Sequence, residues 1–139
     1  MKASLTRFIE AQYKDFEIAL SEIKSGRKKS HWMWYIFPQF QGLGYSATAR
    51  FYAISSLDEA VEFLNHPILG KRLLMVTSAL LELEQSDPLD IFGSPDYMKL
   101  QSSMTLFSIV SENPIFDKVL QKFFNGAKDQ KTQSLSAGK

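Results

Sequence analysis

The sequence predicts an all-α fold: a compact single-domain bundle of about six or seven helices with short loops. Three observations predict it. Apolar side chains recur at three-and-four spacing over long stretches, oxygen-bearing caps followed by proline mark three separate starts, and no segment shows the alternation of a half-buried strand. At 139 residues the chain is about one domain long, enough to bury roughly two thirds of its unfolded surface around one core. The domain is expected over residues 1–127, with 128–139 as a polar tail that frays.

From Leu5 to Ser25 the apolar positions Leu5, Phe8, Ile9, Tyr13, Phe16, Leu20 and Ile23 form one helical face, and Gly26 supplies the stop. Ser30 is positioned to cap a short helix or bend through the aromatic run that Pro38 ends. Ser46 opens a short helix through Ala53, and the capping box Ser56-Leu57-Asp58-Glu59 opens another to about Asn65. His66 sits just before the next helix. Pro67 suits that helix's first turn, and Leu69, Leu73, Leu74, Val76, Leu80 and Leu81 give it a broad apolar face. Asp87-Pro88, Ser94-Pro95 and Asn113-Pro114 then repeat one cap-plus-proline device, and Asn125-Gly126 ends the last helix.

Composition excludes several functions. A net charge of +1 gives no global pull toward nucleic acid or membrane. With no cysteine there is no disulfide framework and no thiolate chemistry, which suits a reducing compartment. Charges at Lys2, Arg7, Glu10, Lys14 and Asp15 interrupt any signal-peptide core, and no apolar run approaches the ~20 residues of a membrane span. The chain is expected to be cytoplasmic.

Metal and cofactor sites are not expected either. The only histidines, His31 and His66, lie 35 positions apart, whereas a helical zinc site needs two one turn apart. Gly42-Leu43-Gly44-Tyr45-Ser46-Ala47 fits a dinucleotide fingerprint, with Glu62 downstream. Its context is wrong. Pro38 breaks the preceding run and no strands follow for a doubly wound sheet, so two glycines making a tight turn before a helix suffice.

The stretch Arg27–Gly44, RKKSHWMWYIFPQFQGLG, holds both tryptophans and one of the two histidines behind three basic residues. Seven large side chains in a row cannot all face one core, so some are expected at the surface. Trp32 and Trp34, two apart, point to opposite sides, about 200° apart around the axis, where the segment is helical. One is therefore expected in the core and the other in a cleft. Cations beside an exposed indole suit a flat ring carrying phosphate or carboxylate, with Arg27, Lys28, Lys29 or Arg72 as anion contacts and His31, Gln39 and Lys99 as orienting groups. A bland reading competes: a basic run at a helix end complements the helix dipole, and Arg72 pairs with Glu62 or Glu59. In the second polar cluster, Gly93–Phe107, Lys99 and Ser103 (or Ser102) share a helical face. A Ser/Lys pair can make nucleophile and base, although an exposed lysine with serines bonded back to the helix is the commoner arrangement. For acid–base chemistry the pair to consider is His31 with Asp96, which requires His31 and the Asp96–Lys99 turn to meet in space.

The motifs GRKKSHWMWYIFPQFQGLG, EAVEFLNHPILGKRL and IFGSPDYMKLQSSMTLF resemble the bacterial domain of unknown function family 1810, whose members are sometimes labelled calpastatin. The likeness runs from Phe8 to about Thr132. It implies a mainly α-helical single domain, similar to a mycobacterial hypothetical protein of the same superfamily, and no established activity. The label fits the chain poorly, because an inhibitor of that kind works through disordered segments, whereas this one is aromatic-rich and built to fold alone. The expected role is binding a small anionic, nucleotide-like ligand in a cleft beside the HWMW segment. The alternative is a protein-interaction module that uses exposed aromatic anchors.

Overall fold

The structure, a computed structural model, describes residues 5–137. They form α1 (Thr6–Ser25), α2 (Met33–Ile36), α3 (Ala47–Phe51), α4 (Leu57–Asn65), α5 (Leu69–Glu82), α6 (Pro88–Phe92), α7 (Asp96–Val110), α8 (Ile115–Phe124) and α9 (Gln130–Ala137). Among the described residues there is no strand, only an isolated bridge between Phe40 and Ile54. The fold is all-α as expected, but with nine helices among those residues rather than six or seven. The excess over seven is α2, a single turn of four residues, and α9, which forms in the expected polar tail.

Most helix ends obey local chemistry. Gly26 takes a left-handed φ of 81° and Arg27 N–H donates to Glu22 O at 3.1 Å, closing α1. Ser46, Ser56 and Asp87 accept from Ala49, Glu59 and Leu89 N–H at 3.0–3.1 Å. His66 Nδ1 accepts from Ile68 and Leu69 N–H, so this histidine caps α5. Two expected caps fail: Ser30 does not cap α2 and Ser94 does not cap α7. The capping box at Ser56 is also incomplete, because the Glu59 side chain turns away from Ser56 to Ser55 N–H and to Arg7.

α7 is the central helix. Its residues Ser102–Phe107 are buried without a break, and it contacts α4, α6, α8 and α9. A second layer is made by α5 between α1 and α8. Buried Arg7 ties α1 to the segment before α4: its Nε donates to Phe51 O at 2.7 Å, its Nη2 to Ala53 O at 2.8 Å, and its guanidinium pairs with Glu59 at 3.4 Å. That many partners offset the desolvation of the ion pair.

The C-terminal end of α5 is closed by a lysine from another helix. Lys122 Nζ donates to Leu80 O and Leu81 O at 3.1 Å and also to Leu83 O, adding a charged donor to the carbonyls at the helix end, of which Leu80 O also accepts from Leu83 N–H at 3.3 Å. Replacing Lys122 with methionine keeps the stem and removes the donors. Urea unfolding of Lys122→Met should show a loss of about 1–3 kcal/mol. The exposed neighbour Lys118→Met should stay within about 0.5 kcal/mol of the parent.

Candidate functional site

The site begins with the way the chain leaves α1. After Gly26 the backbone doubles back over the last turn, and the carboxylate of Glu22 collects the donors this exposes. Lys29 N–H (2.8 Å), Ser30 N–H (3.0 Å), Ser30 Oγ–H (2.6 Å) and the Trp32 indole N–H (2.9 Å) all donate to it. Burial alone raises the pKa of this carboxyl, but the bonds from the Ser30 hydroxyl, Lys29, Trp32 and Ser30 N–H outweigh it and hold the group down at about 2. Sequence reading overlooked Glu22, since one glutamate on the polar face of a helix carries no signal.

With its N–H satisfied, Trp32 is fully buried, its ring 6.4 Å from those of Phe37 and Phe92. The single turn of α2 then carries Trp34 to the other side, where it is partly exposed and lines a cleft. The two tryptophans thus divide as their spacing requires.

The cleft encloses about 500 Å³ between α2, the loop 39–46, the first turns of α7 and the start of α9. Two lysines stand against aromatic side chains in it. Lys99 Nζ lies 5.0 Å above the Trp34 ring, and Lys131 Nζ lies 5.6 Å from the Tyr45 ring centroid and 3.3 Å from its hydroxyl. Behind Lys99, Asp96 bridges it at 3.3 Å and Lys28 at 2.9 Å. This trio keeps one positive charge in excess. Gln39, Gln101 and Ser102 supply polar lining.

The glycines next to Trp34 are explained by geometry. Gly42 has φ 97°, and a Cβ on Gly44 would stand 2.5 Å from that of Ala49. They shape a loop against α3, as a tight turn before a helix requires, and among the described residues no sheet accompanies them.

Of the residues singled out from sequence, Trp34, Gln39 and Lys99 line this cleft together. Others lie elsewhere. Trp32 is core. Lys28 spans the loop, with Nζ donating to Ser30 O and paired with Asp96, 5.1 Å from the Trp32 ring. Arg27 lines a separate hollow with Asp90, and Lys29 is exposed on the loop. Arg72 lies between α1 and α5, Nη1 donating to Gln12 Oε1 at 3.4 Å with its guanidinium over Phe16. Its expected partner Glu59 is taken by Arg7. Ser103 is fully buried and its hydroxyl has no partner, while Ser102 donates back to Met98 O at 3.2 Å, so a Lys99/Ser103 nucleophile–base pair is not assembled in the cleft.

The His31/Asp96 pair needs correcting too. His31 is exposed and outside the cleft lining, and among the described residues no hydrogen bond or ion pair joins it to Asp96, which is engaged by the two lysines. What the fold uses at His31 is its carbonyl, 3.1 Å from the Tyr35 hydroxyl. That hydroxyl also donates to Asp15, and burial first, then this bond, push its pKa up.

The α9 wall was missed because its composition is polar. Asp129 caps α9 by accepting from Thr132 N–H at 3.0 Å, and its own N–H donates to Thr105 Oγ1 at 2.9 Å. The Asp-x-x-Thr spacing of Asp129 and Thr132 was the available signal.

The model of a family described as "Protein of unknown function (DUF1810)" matches residues 2–135. The crystal structure of the conserved hypothetical protein Rv1873 from Mycobacterium tuberculosis is similar, with 42% identity, 96% of each chain covered and a TM-score of 0.94. None of the curated proteins matches the chain.

Two outcomes follow from the Glu22 and tryptophan geometry. Trp32→Ala should cost ~3–5 kcal/mol, and Trp34→Ala under about 2 kcal/mol. A soluble quencher should reach only Trp34; equal losses with both indoles shielded would make the whole segment core. For Glu22, a folded pKa below the ordinary 4.5 means that its stabilisation is complete above pH 4.5 and is lost as the pH falls from there toward about 2. Glu22→Gln should therefore be less stable than the parent by about 1–3 kcal/mol at neutral pH. Chemical denaturation should show the gap closing across that acid window, and a gap that persists unchanged would refute the carboxylate's role.

Proposed function

Since the chain belongs to the DUF1810 family, a family of unknown function, we propose from the geometry that it binds a small anionic, nucleotide-like ligand in the cleft beside Trp34. The observation that carries this reading is the pairing of cation and ring. Lys99 over Trp34 and Lys131 at the Tyr45 hydroxyl give one cavity two cations and two flat faces. A planar ring stacks on the indole or the phenol, and a phosphate or carboxylate meets the ammonium groups. Two carboxylates stand near these cations, but Lys28 holds Asp96 at the shorter distance and the Asp129 carboxylate, also in the lining, accepts from the Thr132 N–H and hydroxyl. A volume of about 500 Å³ is in the ordinary range for small-molecule sites.

A protein-interaction surface is the second reading. It calls for a flat apolar patch, and the exposed rings of Tyr45 and Phe51 instead border cavities. The concave, cationic shape favours the small ligand. A cytoplasmic setting suits a chain with no cysteine and, among its described residues, no helix long and apolar enough to cross a membrane.

A thermal-shift screen of nucleotides and phosphorylated metabolites tests the reading. A true ligand at 100 times its Kd should stabilise the fold by ~2.7 kcal/mol. Lys99→Met, which keeps the stem over Trp34 but removes the charge, should weaken binding by about 10- to 100-fold. No stabilising compound, or equal binding by Lys99→Met, would overturn the assignment.

A further inference from the structure

The cleft has a neighbour. On the other side of Gly44 and Tyr45 a second cavity of about 590 Å³ is lined by Gln41, Arg50, Phe51, Ser55 and, from α9, Leu135. Gly44 and Tyr45 line both cavities, so the Tyr45 ring, 71% exposed, forms a common wall. Lys131 stands at that wall through its contact with the Tyr45 hydroxyl.

The second cavity repeats the chemistry of the first. Arg50 is exposed, and among the described residues its guanidinium has no hydrogen-bond or ion-pair partner. Beside it the Phe51 ring is 57% exposed. Arg7, also in the lining, is committed to Glu59 and to the Phe51 and Ala53 carbonyls, so Arg50 is the cation left for a ligand. Each cavity suits one ring, and cations stand on either side of the wall between them.

We propose that the two cavities are halves of one site for a two-ended ligand: two flat rings joined by an anionic phosphate linker, the chemistry of a dinucleoside polyphosphate. One ring stacks at Trp34 and the other against Phe51. The linker crosses Tyr45, where Lys131 and Arg50 meet its charge. This rests on the reading of the first cavity as a nucleotide-like site. Linking two half-sites makes the second contact intramolecular, so the two-ended ligand gains affinity over either half.

The experiment is calorimetric titration of the full chain with each of the four ribonucleoside triphosphates and the matching symmetrical dinucleoside tetraphosphates. For at least one base the two-ended compound should bind at least about tenfold more tightly than the triphosphate. Arg50→Gln should bring that ratio down to about one, with an unchanged circular dichroism spectrum showing that the exposed substitution leaves the fold intact. Triphosphate binding that depends on Lys99, with no gain from the second end, would overturn the two-ended site while leaving the first-cavity reading standing. A gain that survives Arg50→Gln would also overturn it. Failure of every compound in both series would remove both.

Discussion

The carboxylate of Glu22 is the constraint on which the rest of the site depends. Four donors converge on it from the loop that follows α1. Two are backbone N–H groups in a turn that has no helical partners to offer them. One negative group with several lone pairs satisfies them all at once. Because the last donor is the Trp32 indole, the largest ring in the core enters it with its polar atom already paired, which removes the main penalty on burying a tryptophan. Once Trp32 is fixed, the phase of α2 is fixed, and Trp34 has only the cleft side left to occupy.

The opposite walls are locked by equally specific polar contacts. Lys28 reaches from the same loop to Asp96 and so sets the first turn of α7, on which Lys99 stands, against α2. Thr105 accepts from Asp129 N–H while donating to Gln101 O at 2.8 Å, which docks the start of α9 on α7. The loop 39–46 is tied down where Ile54 N–H donates to Gln39 O at 2.8 Å and Gln41 N–H donates to Ile54 O at 2.9 Å. The cleft is thus bounded by four stretches of chain, each held to the bundle by its own bonds. Such a cavity is largely formed before any ligand arrives.

Charge acts locally here. A chain of net charge +1 exerts little long-range attraction, so the proposed anion site depends on the local placement of Lys99 over Trp34 and of Lys131 at the Tyr45 hydroxyl. The Trp34 ring presents its electron-rich face to the Lys99 ammonium above it. On the proposed reading, selectivity falls on the ring as much as on the anion, because a bare phosphate would meet the lysines but leave both aromatic faces uncovered.

The local code of the chain was enough for the all-α class, the long helices and most of their ends. Spacings of three and four, Gly26 in a left-handed stop, and caps at Ser46, Ser56 and Asp87 involve residues only a few positions apart. The opposed fates of Trp32 and Trp34 follow from the same short-range geometry, although nothing local says which one is buried. That choice was made by Glu22, ten positions upstream, through a bond that exists only after the loop has folded back. Tertiary structure likewise decided that Arg7 and not Arg72 pairs with Glu59, that His31 remains outside the cleft, and that a polar tail becomes α9 with Thr132 and Ser136 buried. The physical reason is common to all of them. A polar side chain takes whichever partner packing brings within about 3 Å, and spacing along the chain does not encode that distance for residues far apart.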